Sequence, residues 1–283
     1  MSSDTTAGRR RRRPWIADGL AIAFAVVWFF PVYWMINTAF KPPSEVLTPT
    51  PTFLPSELNF DNFVVALTQT SFLQNLVNSA IVVVAAVLFS LILAFFAAAA
   101  LTRFRFRGRR SIMIGLLAAQ MLPGAALLIP QYLIFNDLGL TGTYIGLIVV
   151  YVGGVLPFAI WTMRGFFIAI PVEIEEAAQM DGASTWRVLR SILFPLVLPG
   201  VIATSVFSFI HAWNDYIIAY TFMKNESMYT LTVWLASFST VTKGTDFGAQ
   251  MAASLLFSLP VVVFFIIVQR RLVTGMTAGA VKG

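Results

Sequence analysis

The sequence predicts an all-α, polytopic membrane protein of six transmembrane helices, and three observations predict it. Of its 283 residues 58% are hydrophobic and only 11% charged, against about 25% charged in a soluble domain. Its apolar residues fall in recurrent charge-free runs, each long enough to cross a hydrocarbon layer of about 30 Å as a helix. Its basic residues are also unevenly distributed between the segments that join those runs. A net charge of +6 therefore need not signal affinity for nucleic acid, because a membrane protein keeps Lys and Arg on its cytoplasmic loops for topological reasons.

Residues 1–13 are polar and end in Arg9-Arg10-Arg11-Arg12-Arg13, and 1–15 reads as a basic cytoplasmic N-terminus. This run reads as a topological anchor; an anionic-lipid contact and a nucleic-acid arm are the alternatives. No charge then occurs from Gly19 to Phe40 and no small-residue cleavage site follows, so the stretch is too long for the core of a signal peptide. Spans are predicted at 16–38, 76–101, 111–135, 143–168, 193–219 and 249–269, making 16–269 one membrane domain. Between the first two, the external segment 39–75 carries Pro42, Pro43, Pro49, Pro51 and Pro55. Its first half is predicted to be neither regular helix nor central strand, with a short surface helix at Glu57–Phe63. Ala85, Ala86, Ala94 and Ala97–Ala100 give the second span small faces for close helix packing. Prolines 123, 130, 157, 195, 199 and 260 predict kinks, satisfied by neighbouring helices or lining a gated cavity.

Of the 19 Lys and Arg, all but Lys41, Lys224 and Lys243 fall on one side of this arrangement. The positive-inside rule makes that side cytoplasmic, with both termini on it. The segment 170–192 is then a cytoplasmic loop and 270–283 a cytoplasmic tail.

Within the loop, Pro171 suits a helix start, and Glu173, Glu175 and Glu176 suit its positive end. Gly182 can end that helix in the left-handed conformation, and Ser184 can cap a second through Trp186, Arg187, Leu189 and Arg190. Ala177, Ala178, Gly182 and Ala183 leave the turn bare, so a partner backbone can approach, and Glu176 and Asp181 can accept its charge-assisted hydrogen bonds. The stretch reads as a docking knob, with a solvated amphipathic loop as the plain alternative.

Polar groups within spans are functional candidates by default. They are Asn75, Asn78, Gln120, Gln131, His211, Asn214 and Asp215. Gln120 and Gln131 carry amides that can both donate to and accept from a polar solute, and Tyr151, Trp161 and Trp213 offer aromatic faces. The amides serve equally well as glue between helices. Asp215 is expected to pair with Lys41, Lys224 or Lys243, or else to couple protons. With one histidine and no cysteine, the chain is expected to hold no metal and to perform no thiol chemistry. It contains no Gly-Lys-Ser or Gly-Lys-Thr phosphate loop and no hydrolase signature, so it is not expected to be an enzyme or to hydrolyse ATP.

Three stretches carry a resemblance. Glu176-Ala-Ala-x-x-Asp181-Gly-Ala, with Ile192 and Pro195 downstream, resembles the EAA loop of bacterial ABC importer permeases; Leu189 stands where that family usually has Phe. Arg270 to Gly283 is similar to the C-terminus of the second permease of maltose-type carbohydrate importers, and Trp213-Asn214-Asp215 to their Trp-Asn-acidic motif. The resemblance implies an ABC importer permease fold with a cytoplasmic coupling helix, in a bacterial plasma membrane. It assigns ATPase coupling to Glu176, Ala177, Ala178, Asp181, Gly182 and Ala183, and ATPase contact by the tail to Gly275, Thr277, Gly279 and Lys282. The implied partners are a second permease subunit, two ATPase subunits that hold ATP and Mg, and an extracytoplasmic sugar-binding protein, with no nucleic acid and no cofactor in this chain. Gln120, Gln131, Tyr151, Trp161, Trp213 and Asn214 are then candidates for the substrate path. The competing reading is an ion-coupled secondary transporter working through Asp215.

Overall fold

A computed structural model describes residues 15–68, 71–240 and 244–277. Its scaffold is a bundle of long helices: α1 (Trp15–Ala39), α4 (Phe72–Arg103), α7 (Tyr144–Ile168), α10 (Phe194–Asn214) and α13 (Phe247–Thr277). The short helices α2 (Pro43–Val46) and α3 (Asp61–Thr68) lie between α1 and α4, one turn on the proline-rich stretch and two just beyond the place the sequence suggested. Near the end, Ser239–Thr240 and Gly244–Thr245 form a two-residue antiparallel ladder in an otherwise helical protein.

Helices α4, α7 and α10 form the interior, and small residues let them approach. Ala86, Ala94, Ala98 and Ala99 on α4 are buried, and the side chain of Phe166 on α7 lies against Gly200 on α10. Three apolar clusters are buried among the described residues, the smallest gathering Ala94, Leu101, Val155, Ala159 and Ile160. Of the larger two, one gathers Val82, Leu147, Tyr151, Phe209, Trp213 and Phe222; the other gathers Phe95, Ala98, Met163, Phe167, Val188 and Leu193. By contrast α1 packs against α13 and leaves Phe24, Val27, Trp28 and Phe29 exposed. An apolar surface of this extent fits hydrocarbon rather than water.

Five of the described helices are long and apolar enough to cross a membrane. The third predicted span, 111–135, is not one straight helix. It is α5 (Arg109–Gln120) and α6 (Gly124–Asp137), bent by 104° at Met121–Pro123. Pro123 supplies no N–H to continue α5, and its extended backbone instead starts α6. The fifth predicted span also ends early. Its helix begins at α9 (Thr185–Val188), passes through a π turn at Leu189–Leu193, and stops at Asn214 rather than at 219. Phe194 donates its N–H to the Leu189 carbonyl, widening the helix immediately before Pro195, which has no N–H of its own.

One end of the bundle brings together Arg103, Arg109, Arg110 and Arg164 with the 170–190 loop. The other holds Lys41 and Lys224 and is closed by hydrogen bonds. There Asn78 donates to the carbonyls of Ser227 and Tyr229, both at 2.9 Å, and accepts from Tyr144 Oη at 2.8 Å and Gln74 Nε2 at 2.9 Å. Asn62 ties α3 to the carbonyls of Ala39 and Lys41. Asn78 is therefore glue, the second of the two roles open to amides within spans. In the same region the Ser56 hydroxyl and N–H bond the Glu45 carboxylate and hold its pKa below the ordinary value.

Candidate functional site

At the arginine-rich end, α8 (Val172–Met180) follows Pro171, which occupies the N-cap position in an extended conformation rather than the first helical turn. The helix stops in a Schellman turn: Ala183 donates to the Ala178 carbonyl at 3.0 Å and Gly182 to the Gln179 carbonyl at 3.0 Å. This closure requires φ of +84° at Gly182, a value that glycine adopts without the steric cost of a Cβ. Ser184 Oγ then accepts from the Arg187 N–H at 3.4 Å and opens α9. A helix, a tight turn and a second helix are thus built from adjacent residues.

The two faces of α8 differ. Its inner face carries Glu175, which is buried and forms an ion pair with Arg103 at the end of α4. Arg103 also donates through Nη2 to the Ile170 carbonyl at 3.1 Å and lies 6.0 Å from the centre of the Phe167 ring. Ala178 and Ala183 pack against the neighbouring apolar cluster. The outer face exposes Glu176, Ala177, Asp181 and Gly182, with Met180 89% exposed at the tip. Trp186 on α9 stacks on Phe96 of α4, with ring centres 6.2 Å apart. The knob therefore offers a free face while its other side is fastened to α4 and α7.

This fastening was not read from the sequence. In the sequence Glu175 suits the helix dipole and Arg103 the positive side of the membrane, and no spacing relates residues so far apart in the chain.

The tail candidates divide. Gly275 and Thr277 belong to α13, which runs beyond the predicted span; Gly279 and Lys282 lie outside the described residues, as do the five N-terminal arginines. The candidates for a substrate path are not gathered around one cavity within this chain. Tyr151 and Trp213 are core residues, 1% and 5% exposed, and Trp213 packs 5.5 Å from the rings of Phe209 and Phe257. Gln120 is exposed at the break between α5 and α6, Gln131 is half-buried on α6, and Asn214 is exposed at the end of α10. Trp161 stands at the arginine-rich end, 5.8 Å from the Arg164 guanidinium.

Asp215 does not pair with a described lysine as expected. Its carboxylate accepts from Tyr151 Oη at 2.8 Å and from the N–H groups of Ile218 at 3.4 Å and Ala219 at 2.9 Å, capping α11 (Ile217–Phe222). Lys41 donates instead to the Thr52 carbonyl at 2.6 Å, and Lys224 to Asn136 Oδ1 at 3.1 Å; Lys243 lies outside the described residues. His211 sits between the rings of Tyr151 and Phe207, and the described residues hold no cluster of metal ligands.

Comparison with known proteins agrees with this architecture. The family described as binding-protein-dependent transport system inner membrane component matches residues 90–278. The diacetylchitobiose uptake system permease protein DasC of Streptomyces coelicolor is 41% identical, over 93% of this chain and 95% of that protein. The trehalose transport system permease protein SugB of Mycobacterium tuberculosis is 34% identical over 98% and 100%, and the trehalose/maltose transport system permease protein MalG of Thermococcus litoralis 33% over 93% and 95%. A chain of a bacterial ABC transporter involved in the import of the acidic polysaccharide alginate shares the fold, with a TM-score of 0.80 and 24% identity over 94% of this chain and 99% of that one.

Proposed function

This chain belongs to the family of inner membrane components of binding-protein-dependent transport systems, and from that premise we propose that it conducts an oligosaccharide into the cytoplasm. It works as the membrane-spanning permease subunit of an ABC importer. A second, related permease completes the path, two ATPase subunits dock on the arginine-rich cytoplasmic end, and an extracytoplasmic sugar-binding protein delivers the ligand at the opposite end. The relatives named for diacetylchitobiose, trehalose and maltose transport support a carbohydrate ligand.

The observation that carries this reading is the knob, free on one face and fastened on the other. An ATPase surface receives Glu176, Asp181 and the bare turn at Gly182. Arg103, together with the cluster around Phe167 and Val188, passes the movement of α8 to α4, α7 and α10, so that the helices swing as packed bodies between inward-open and outward-open arrangements. The carboxylate on which a secondary transporter would depend is already committed, because Asp215 caps a helix and accepts the Tyr151 hydroxyl. Proteoliposomes containing the whole complex test the reading: uptake of a labelled oligosaccharide requires the binding protein and ATP. Uptake by this chain alone, driven by a proton or sodium gradient, would overturn it.

A further inference from the structure

At the arginine-rich end a cleft of about 540 Å³ opens between α5 and α7, away from the knob. Three of its lining residues are Arg109, Arg110 and Arg164. No carboxylate pairs with any of them among the described residues, where Arg103–Glu175 is the ion pair formed. Arg164 lies over the Trp161 ring, and its Nε is buried without a hydrogen-bond partner. The first turn of α5 contains no acidic residue, and no side chain caps it. Three guanidinium groups thus line one cleft beside the uncapped start of α5, with no protein anion among the described residues to meet them, a combination that favours a phosphate.

The remaining wall is apolar. Met113, Ile114 and Leu117 continue the cleft along α5, with Ile114 and Leu117 respectively 56% and 44% exposed. A free phosphate would leave this wall without a partner, whereas a phospholipid matches both halves. We propose that the cleft binds one anionic phospholipid, its phosphate held by Arg109, Arg110 and Arg164 and an acyl chain lying along Met113, Ile114 and Leu117.

Native mass spectrometry of the detergent-solubilised, complete transporter tests this, with phosphatidylglycerol and phosphatidylcholine of identical acyl chains titrated in competition. The wild type should retain phosphatidylglycerol with roughly tenfold preference or more, since each basic residue adds to the attraction for anionic lipid. Arg109→Gln/Arg110→Gln/Arg164→Gln should abolish the preference, and Leu117→Trp should reduce retention by filling the cleft without altering its charge. Arg105→Gln/Arg107→Gln, outside the cleft, should retain the preference. Equal retention of the two lipids by the wild type, displacement of the lipid by excess inorganic phosphate, or unchanged lipid retention in Leu117→Trp would overturn the assignment. So would crosslinking of position 117 to the second permease in place of lipid. If the triple variant fails to assemble, Leu117→Trp decides the matter.

Discussion

Arg103 and Glu175 meet as an ion pair between the end of α4 and the inner face of α8. Their side chains are only 12% and 11% exposed, so neither charge has water as a full substitute for its partner. Removing either should cost about 2 kcal/mol, below the ~3–5 kcal/mol of a fully buried pair because some solvent reaches both. Arg103→Ala and Glu175→Ala should each lower the melting temperature of the complex and the sugar imported per ATP hydrolysed, and the double variant should be little worse than either. Additive losses would show that the pair does not act as a unit.

Gly200 and Gly153 should respond in opposite ways to alanine. A Cβ on Gly200 would lie 2.5 Å from Phe166 Cδ2, whereas one on Gly153 meets nothing within 4 Å. Gly200→Ala should destabilise by about 1–3 kcal/mol through overpacking, and Gly153→Ala should be neutral or stabilise by about 0.5–1 kcal/mol. Melting curves of the two variants in detergent check the contrast; equal melting temperatures would mean that α7 and α10 do not cross closely at Gly200.

Asp215 is expected to act as a cap rather than a proton carrier. Asp215→Asn keeps an oxygen for the α11 N–H groups and should transport normally, with no new dependence on pH. Asp215→Ala removes the cap and the acceptor of the Tyr151 hydroxyl and should cost about 1–3 kcal/mol. Loss of uptake in Asp215→Asn, with assembly and ATP hydrolysis intact, would restore the ion-coupled reading.

What the sequence revealed was local. Gly182 and Ser184 announced the turn because a left-handed glycine and an N-cap act within a few residues, and the apolar runs announced the spans because length and composition decide them. Proline alone could not locate the break in the third span: Pro130, Pro157 and Pro199 all lie inside continuous helices, while Pro123 ends one. Which proline breaks its helix depends on the neighbours available to satisfy the freed carbonyls. Arg103 with Glu175, and Tyr151 with Asp215, are pairings made by packing between distant parts of the chain and have no signature along it. The end of α10 was more nearly legible, since Asp215 stands three and four residues before the N–H groups it accepts.

The distribution of arginine predicts the orientation, and the absence of cysteine gives a clean background for testing it. Single cysteines replacing Ser184 and Thr50, both exposed positions at opposite ends, should differ in intact cells: an impermeant thiol reagent should label position 50 and not position 184. Labelling at 184 from outside would invert the topology.

The central claim is that the knob transmits ATP hydrolysis to the spans, and paired measurement of uptake and hydrolysis in proteoliposomes tests it most directly. Around Gly182 the space is open in this chain, so Gly182→Ala should suffer only its left-handed strain of about 1–2 kcal/mol and keep most of its coupling. Gly182→Trp should collide with the docked ATPase, and Glu176→Lys should replace attraction by repulsion. Both variants should insert normally yet lose ligand-stimulated uptake per ATP hydrolysed. Normal ligand-stimulated uptake in both would contradict the account.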